Sequence, residues 1–170
     1  MMVDDRLRRR VLWAMPSGLY VVGSAAGGRA NLMTANLAIQ VATEPKLVGV
    51  AIDSGSVTRA LVEAGGAFSL SLLSREDRAV VRRFVKPVPA SEIATRDGVV
   101  VAMAGEDVEV HVTGAPVLSR AVAWLDCEVR HRLEFGSHGL FVGEVVAVGG
   151  PEGEVPPVLR MEDTRMNYGG

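Results

Sequence analysis

Cysteine is all but missing: Cys127 stands alone among 170 residues, which excludes an internal disulfide framework and a thiolate zinc cluster. Its neighbours, Trp124-Leu125-Asp126-Cys127-Glu128-Val129, alternate like a strand, so the thiol reads as a small buried group rather than a nucleophile. Long apolar runs are missing too. Val11-Leu12-Trp13-Ala14-Met15 is too short for the apolar region of a signal peptide, Pro16 ends it, and no other run reaches the length of a membrane span. The expected compartment is the cytoplasm. Nor does charge of one sign prevail: 18 Lys and Arg against 20 Asp and Glu give a formal net of -2, with no electrostatic footprint for nucleic acid. The one basic cluster, Arg6, Arg8, Arg9 and Arg10, follows Asp4 and Asp5 and reads as a solvated helix face. His111 and His131 fall on expected strands without ligand spacing, and no chemistry attaches to them.

What is present is a chain 48% hydrophobic and 22% charged, long enough for one domain with a sizeable core. Val3, Leu7, Val11 and Met15 recur at helical spacing, predicting a short amphipathic helix that covers one end of the domain. A strand over Gly18–Ala26 follows, with Gly27-Gly28 as its turn; Ala38–Ala42 and Leu47–Ile52 read as strands buried on both faces. Ser56–Glu63 is an expected helix with hydroxyl caps, ended by Gly65-Gly66. Phe68–Leu72 alternates as a strand, and Ser74 caps a helix expected to run to about Phe84. Ala90–Asp107 is irregular and reads as a loop with a short helix. Asp107–Val112, Ala121–Leu133 and Leu140–Val148 are strands, the last two joined as a hairpin through Phe135-Gly136-Ser137-His138-Gly139. The expected organisation is an N-terminal helix over 1–15, a mostly β barrel domain with peripheral short helices over 16–150, and a tail over 151–170.

Two stretches carry candidate chemistry. Asn31-Leu32-Met33-Thr34-Ala35-Asn36 reads as a polar connection between apolar strands, where Asn31, Thr34 and Asn36 offer donors and acceptors suited to the edge of a planar heterocycle. In Asp53-Ser54-Gly55-Ser56-Val57-Thr58-Arg59, hydroxyls recur at a helix N-terminus, where free amides and the helix dipole favour an anion and Arg59 adds a charge-assisted contact. Plain capping by Ser56 accounts for the same residues without a ligand. The strand pair between the stretches is expected to bring both to one end of a sheet, one for a ring and one for a phosphate.

The order of motifs resembles the flavin reductase-like family. Pro16-Ser17-Gly18-Leu19-Tyr20-Val21-Val22 is similar to its opening "P-x-G-hydrophobic-x-V-V"; Met33-Thr34-Ala35-Asn36, Glu44-Pro45-Lys46-Leu47-Val48 and Ser56-Val57-Thr58 are similar to its "MTA…P-P-L-V…S-x-T". Gly66–Ser74 resembles its "G-x-F-x-V-N-V-L-S" strand. Gly114-Ala115-Pro116, Leu125-Asp126-Cys127 and Gly136-Ser137-His138-Gly139-Leu140-Phe141-Val142-Gly143-Glu144-Val145 resemble its later blocks. The likeness spans Pro16 to Val148.

That resemblance implies an FMN-binding split barrel, usually a homodimer with flavin near the subunit interface, and FAD as the other flavin to consider. It implies Met33, Thr34, Ala35 and Asn36 along the isoalloxazine, with Asn31 at their start. Ser54, Ser56 and Thr58 would receive the phosphate, with Asp53 and Arg59 of the same stretch as further cofactor-binding candidates, and Ser71, Leu73 and Ser74 would add further contacts. His138 matches a histidine placed near the nicotinamide of NADH or NADPH. Ser137 stands where the family has aspartate, which leaves a water-exposed hairpin histidine as the other reading, and Asn36 replaces a serine. The implied activity is hydride transfer from NAD(P)H to flavin, with a monooxygenase as possible recipient of the reduced flavin. The alternative is a tightly FMN-bound electron carrier fed by a protein donor; a related barrel for haem or pyridoxal phosphate lacks a well-placed ligand. The tail from Pro156 reads either as a disordered terminus or as a segment over the partner or the flavin, with Tyr168 stacking.

Overall fold

Gly27 and Gly28 both hold positive φ (56° and 74°), and the tight turn they make folds β1 (Tyr20–Ala26) onto β2 (Arg29–Ala35). The computed structural model describes residues 4–167. Helix α1 (Asp5–Trp13) precedes the hairpin; β3 (Ala38–Thr43), β4 (Lys46–Asp53), helix α2 (Val57–Gly65) and β5 (Ala67–Leu72) follow it. After an irregular stretch come β6 (Ile93–Arg96), β7 (Val99–Met103), β8 (Glu106–Val110), β9 (Pro116–Leu118), β10 (Ala123–Phe135) and β11 (His138–Gly149).

Seven strands make one antiparallel sheet in the order β2-β1-β5-β10-β11-β4-β3. Its two edges, β2 and β3, are consecutive in the chain and joined by Asn36 and Leu37 alone, and the Leu37 carbonyl already accepts from the Ala51 amide of β4 (2.8 Å). A sheet whose edges are tied by two residues must roll up. The interior of the roll holds Val22, Val50, Ile52, Phe68, Leu70, Cys127 and Phe141. Cys127 is the inert buried thiol its surroundings suggest: burial, with Asp126 beside it, pushes its pKa up to about 12. The outer face of β1 and β2 is buried as well, under Val80, Val81 and Phe84, the four-stranded sheet β6-β7-β8-β9, and the tail. Strand β5 is therefore covered on both faces. Its serines serve β9, Ser69 Oγ donating to the Pro116 carbonyl (2.6 Å) and Ser71 Oγ accepting from the Leu118 amide (3.0 Å).

Several expectations need correction. Asn31–Ala35 is strand, not connection, because the Gly27-Gly28 turn sets a register that pairs all seven residues of β2 with β1. Strand β3 is not buried on both faces. As an edge it exposes Ile39 (69%) and Val41 (47%). Helix α1 forms with Asp4 as its cap, yet none of its residues is buried, and Leu7, Val11, Leu12 and Trp13 stay exposed. The helix expected over 75–84 is two 3-10 turns, Arg75–Asp77 and Val80–Phe84. The β-branched pair Val80-Val81 disfavours a regular helix, and the Thr34 hydroxyl takes the Val81 carbonyl. Residues 93–110 form a meander, its tight turns made by Asp97-Gly98 and Ala104-Gly105, all four at positive φ.

The tail is ordered and packs on its own barrel. Leu159 is fully buried between Leu19 and Leu73; its amide donates to the Leu73 carbonyl (2.8 Å) and its carbonyl accepts from the Leu19 amide (3.1 Å). Residues 156–167 are therefore not a disordered terminus. Tyr168 lies outside the described residues.

Candidate functional site

Strand β4 ends at Asp53, which sits in register with His138 at the start of β11; His138 in turn faces Phe135 at the end of β10. The β10–β11 hairpin runs seven residues past its pairing with β5, which stops at Glu128, so its tip and the end of β4 form a ledge. Helix α2 starts there. The Ser54 amide donates to the Ser137 carbonyl (2.9 Å), Asp53 Oδ1 accepts from the Gly55 amide (2.9 Å), and Ser56 Oγ accepts from the Arg59 amide (3.0 Å). Among the described residues, the first-turn amides of Val57 and Thr58 have no protein acceptor, as helix geometry dictates. The Ser54 and Ser56 hydroxyls, each already accepting one bond, keep their own protons to donate.

Arg59 lies across this ledge, with only 12% of its side chain exposed. Its Nε donates to Glu63 (2.7 Å), Nη1 to Ser54 Oγ (2.7 Å), and Nη2 to both carboxylate oxygens of Glu134 (2.9 and 3.0 Å). Arg132 completes the network, donating to Glu134 (2.7 Å) and pairing with Glu63 (2.8 Å). The neighbouring Arg132 and Arg59 guanidiniums hold the Glu134 carboxyl below the usual carboxylate range. His138 is half-buried, its Nδ1 2.9 Å from Ser137 Oγ.

The other expected stretch, Asn31–Asn36, heads toward the same end of β4. Because Leu37 bonds Ala51 and Ala38 pairs with Val50, the chain from Leu37 back to Ala35 runs toward the Asp53 end of β4. Ala35 is buried there and Asn36 half-buried, its Nδ2 donating to Ser17 Oγ (3.4 Å). Asn36 also borders a cavity of about 300 Å³ lined by Trp13, Ser17 and, from the tail, Arg160, Met161 and Met166.

Other expected site residues serve the fold. Asn31 is buried, donating to Thr58 Oγ1 (2.8 Å) and accepting from the Val88 amide (2.9 Å), and Thr58 is buried with it. Thr34 donates to Val81 (2.5 Å), Ser71 serves Leu118, and Leu73 is core. Met33 pairs with Val22 and packs against the barrel interior. Ser74 caps the first 3-10 turn and bridges Val158 in the tail, away from Asp53. Asp53, Ser54, Ser56, Arg59 and His138 are thus brought together, and the chain from Leu37 back to Asn36 and Ala35 runs toward that end of β4. Glu134 was not anticipated, whereas tail residues beside Asn36 accord with the reading of the tail as a segment over the site. Glu134 is 75 residues from Arg59, and no local pattern marks such a pair.

Comparison with known proteins follows the same lines. The chain matches the "Flavin reductase like domain" family over residues 12–169. It is 32% identical to an NADH-dependent FAD reductase of Streptomyces globisporus, over 84% of this chain and 75% of that protein. With the NADH-dependent flavin reductase StyB of Pseudomonas fluorescens it shares 27% identity, over 92% and 85%. The solved styrene monooxygenase flavin reductase of Pseudomonas putida superposes with a TM-score of 0.73 at 27% identity, covering 94% of each chain.

Proposed function

The chain belongs to the flavin reductase-like domain family, and on that premise we propose that it is an NAD(P)H-dependent flavin reductase that holds FMN on the ledge at the end of β4. The observation that supports this reading is the path of the chain: the Leu37–Ala51 bond directs Asn36 and Ala35 toward the end of β4 from which the Asp53–Arg59 turn departs. The donor set suits a phosphorylated ring. The Ser54 and Ser56 hydroxyls, the Val57 and Thr58 amides and the Arg59 guanidinium would bind the phosphate, at a helix start whose dipole favours anions. Asn36 and the backbone of Ala35 would orient the ring edge.

When bound, the flavin supplies the acceptor for the hydride, with its two electrons, that the nicotinamide gives up, which is why the chain needs no catalytic acid–base dyad of its own. The work left to the protein is orientation. His138, across from Asp53 on the ledge, would position the nicotinamide rather than move a proton. The tail residues Arg160, Met161 and Met166 would shield the cavity beside Asn36 from water.

A homodimer is part of the proposal. Leu7, Val11 and Leu12 of α1 and Ile39 and Val41 of β3 are apolar and exposed on the single chain, and a second copy is the cover that the family resemblance implies. A separate monooxygenase would receive the reduced flavin, by analogy with the styrene monooxygenase reductase.

Steady-state oxidation of NADH and NADPH, each with FMN, FAD and riboflavin, tests the reading. Turnover well above the flavin-only background is expected, with FMN the preferred flavin; preference for FAD would move the assignment toward the Streptomyces relative. No turnover with any pair would overturn the activity.

A further inference from the structure

We infer that Glu134 sets how strongly and how selectively this ledge accepts a flavin phosphate, by acting as a resident carboxylate that competes for Arg59. The inference rests on the phosphate placement just proposed. Every nitrogen of Arg59 is already engaged: Nε by Glu63, Nη1 by Ser54 and Nη2 by both oxygens of Glu134, which leaves one of the five N–H donors, on Nη1, without a protein acceptor among the described residues. A two-oxygen anion on a guanidinium beside a serine hydroxyl is the geometry a phosphate would adopt, and here a side chain already fills it.

The exposures indicate which partner yields. Arg59 is 12% exposed and remains anchored by Glu63 and Ser54, whereas Glu134 is 51% exposed. Glu134 also keeps its bond from Arg132 if it swings off Arg59. Phosphate entry is therefore an exchange of one anion for another rather than the filling of an empty cationic pocket. The local charge does not draw an anion in. Asp53, Glu63 and Glu134 outnumber Arg59 and Arg132, and the carboxyl of Glu134, held below its ordinary range, stays ionised at neutral pH.

Selectivity follows from the charge of each ligand. The terminal phosphate of FMN is close to a dianion and meets Glu134 with the most repulsion. Each phosphate of the FAD diphosphate carries about one charge and meets less, and riboflavin, with no phosphate, meets none. Glu134 thus weakens the hold on FMN most, which keeps that flavin exchangeable.

The test is Glu134→Gln in the full chain, which keeps volume and one acceptor at an exposed position. Dissociation constants for FMN, FAD and riboflavin are read from quenching of flavin fluorescence, at low salt and again at about 0.5 M salt, where the Debye length is only a few Å. Expected at low salt are a gain of about fivefold for FMN, about twofold for FAD and none for riboflavin, shrinking at high salt. An equal shift for all three flavins, or none for FMN, overturns the inference. Arg59→Gln separates it from the reading it rests on. If that variant leaves the FMN-to-riboflavin preference intact, the phosphate does not sit here and both fall. If it abolishes the preference while Glu134→Gln changes nothing, only the role of Glu134 falls.

Discussion

Replacing Leu159 by alanine tests whether the tail is part of the core. Leu159 has no exposed surface and lies between Leu19 and Leu73, with main-chain bonds to both. Truncating a buried leucine costs about 2–5 kcal/mol, and the larger values belong to sites whose walls cannot collapse. These walls are rigid, since Leu19 leads into β1 and Leu73 leaves β5, both central in the sheet. A loss of about 3 kcal/mol is therefore expected. For a domain of this size each kcal/mol moves Tm by about 2–4 °C, so the melting point should fall on the order of 10 °C. Urea titration followed by circular dichroism reads the free energy directly. Tail detachment is the competing route, because it sets a ceiling on the loss. Brief trypsin treatment detects it as cleavage at Arg160 or Arg165 in an otherwise folded protein. A loss below about 1 kcal/mol with no new cleavage would refute the packing argument. Because Arg160, Met161 and Met166 border the cavity beside Asn36, flavin affinity should weaken in parallel.

Asn31→Ala leaves both the Thr58 hydroxyl and the Val88 amide without their buried partner, and should cost about 2–3 kcal/mol in the same urea assay. The Cys127 thiol, pushed up to about 12, should not react with a disulfide reagent at pH 8 until denaturant is added. Above about pH 9 the unfolded chain sheds that proton while the folded chain retains it up to about 12, so stability should decline through that window in a pH series of melts and gain about nothing from Cys127 below it. His138→Asn should raise KM for the nicotinamide about tenfold with kcat changed less than about threefold, since the residue is assigned a positioning role; an unchanged KM would remove it from the site.

Features written in adjacent residues were legible. Ser56 caps α2 and Gly66 closes it, β5 lies where Phe68–Leu72 alternates, and the β10–β11 hairpin turns at Gly136-Ser137. The missed meander had half its signal in view: Asp97-Gly98 is a hairpin dipeptide, but its partner turn puts Ala104 at φ 49°, where alanine gives no warning. The polar residues of β2 suggested a loop because side chains alone do not reveal that Thr58, Val81 and Val88 are the groups they satisfy. The same limit governed the site. The Asp53–Arg59 turn is a local capping motif and was readable, whereas the anion already seated on Arg59 comes from a distant strand. Leu159 is one apolar residue in a polar tail, and its burial depends on the space left between two strand ends.

The link of Asn36 and Leu37 between the two sheet edges leaves the roll no slack. Its circumference and the position of Asn36 are a single variable: anything that widens the ring pulls on the very segment proposed to orient the flavin. Gly143 shows how narrow the tolerance is, for a methyl group there would come within 2.8 Å of both Cys127 and Phe68 inside the roll. A substitution deep in the interior, with no ligand contact, would therefore register first as a change in flavin affinity, transmitted around the hoop of strands to its clasp.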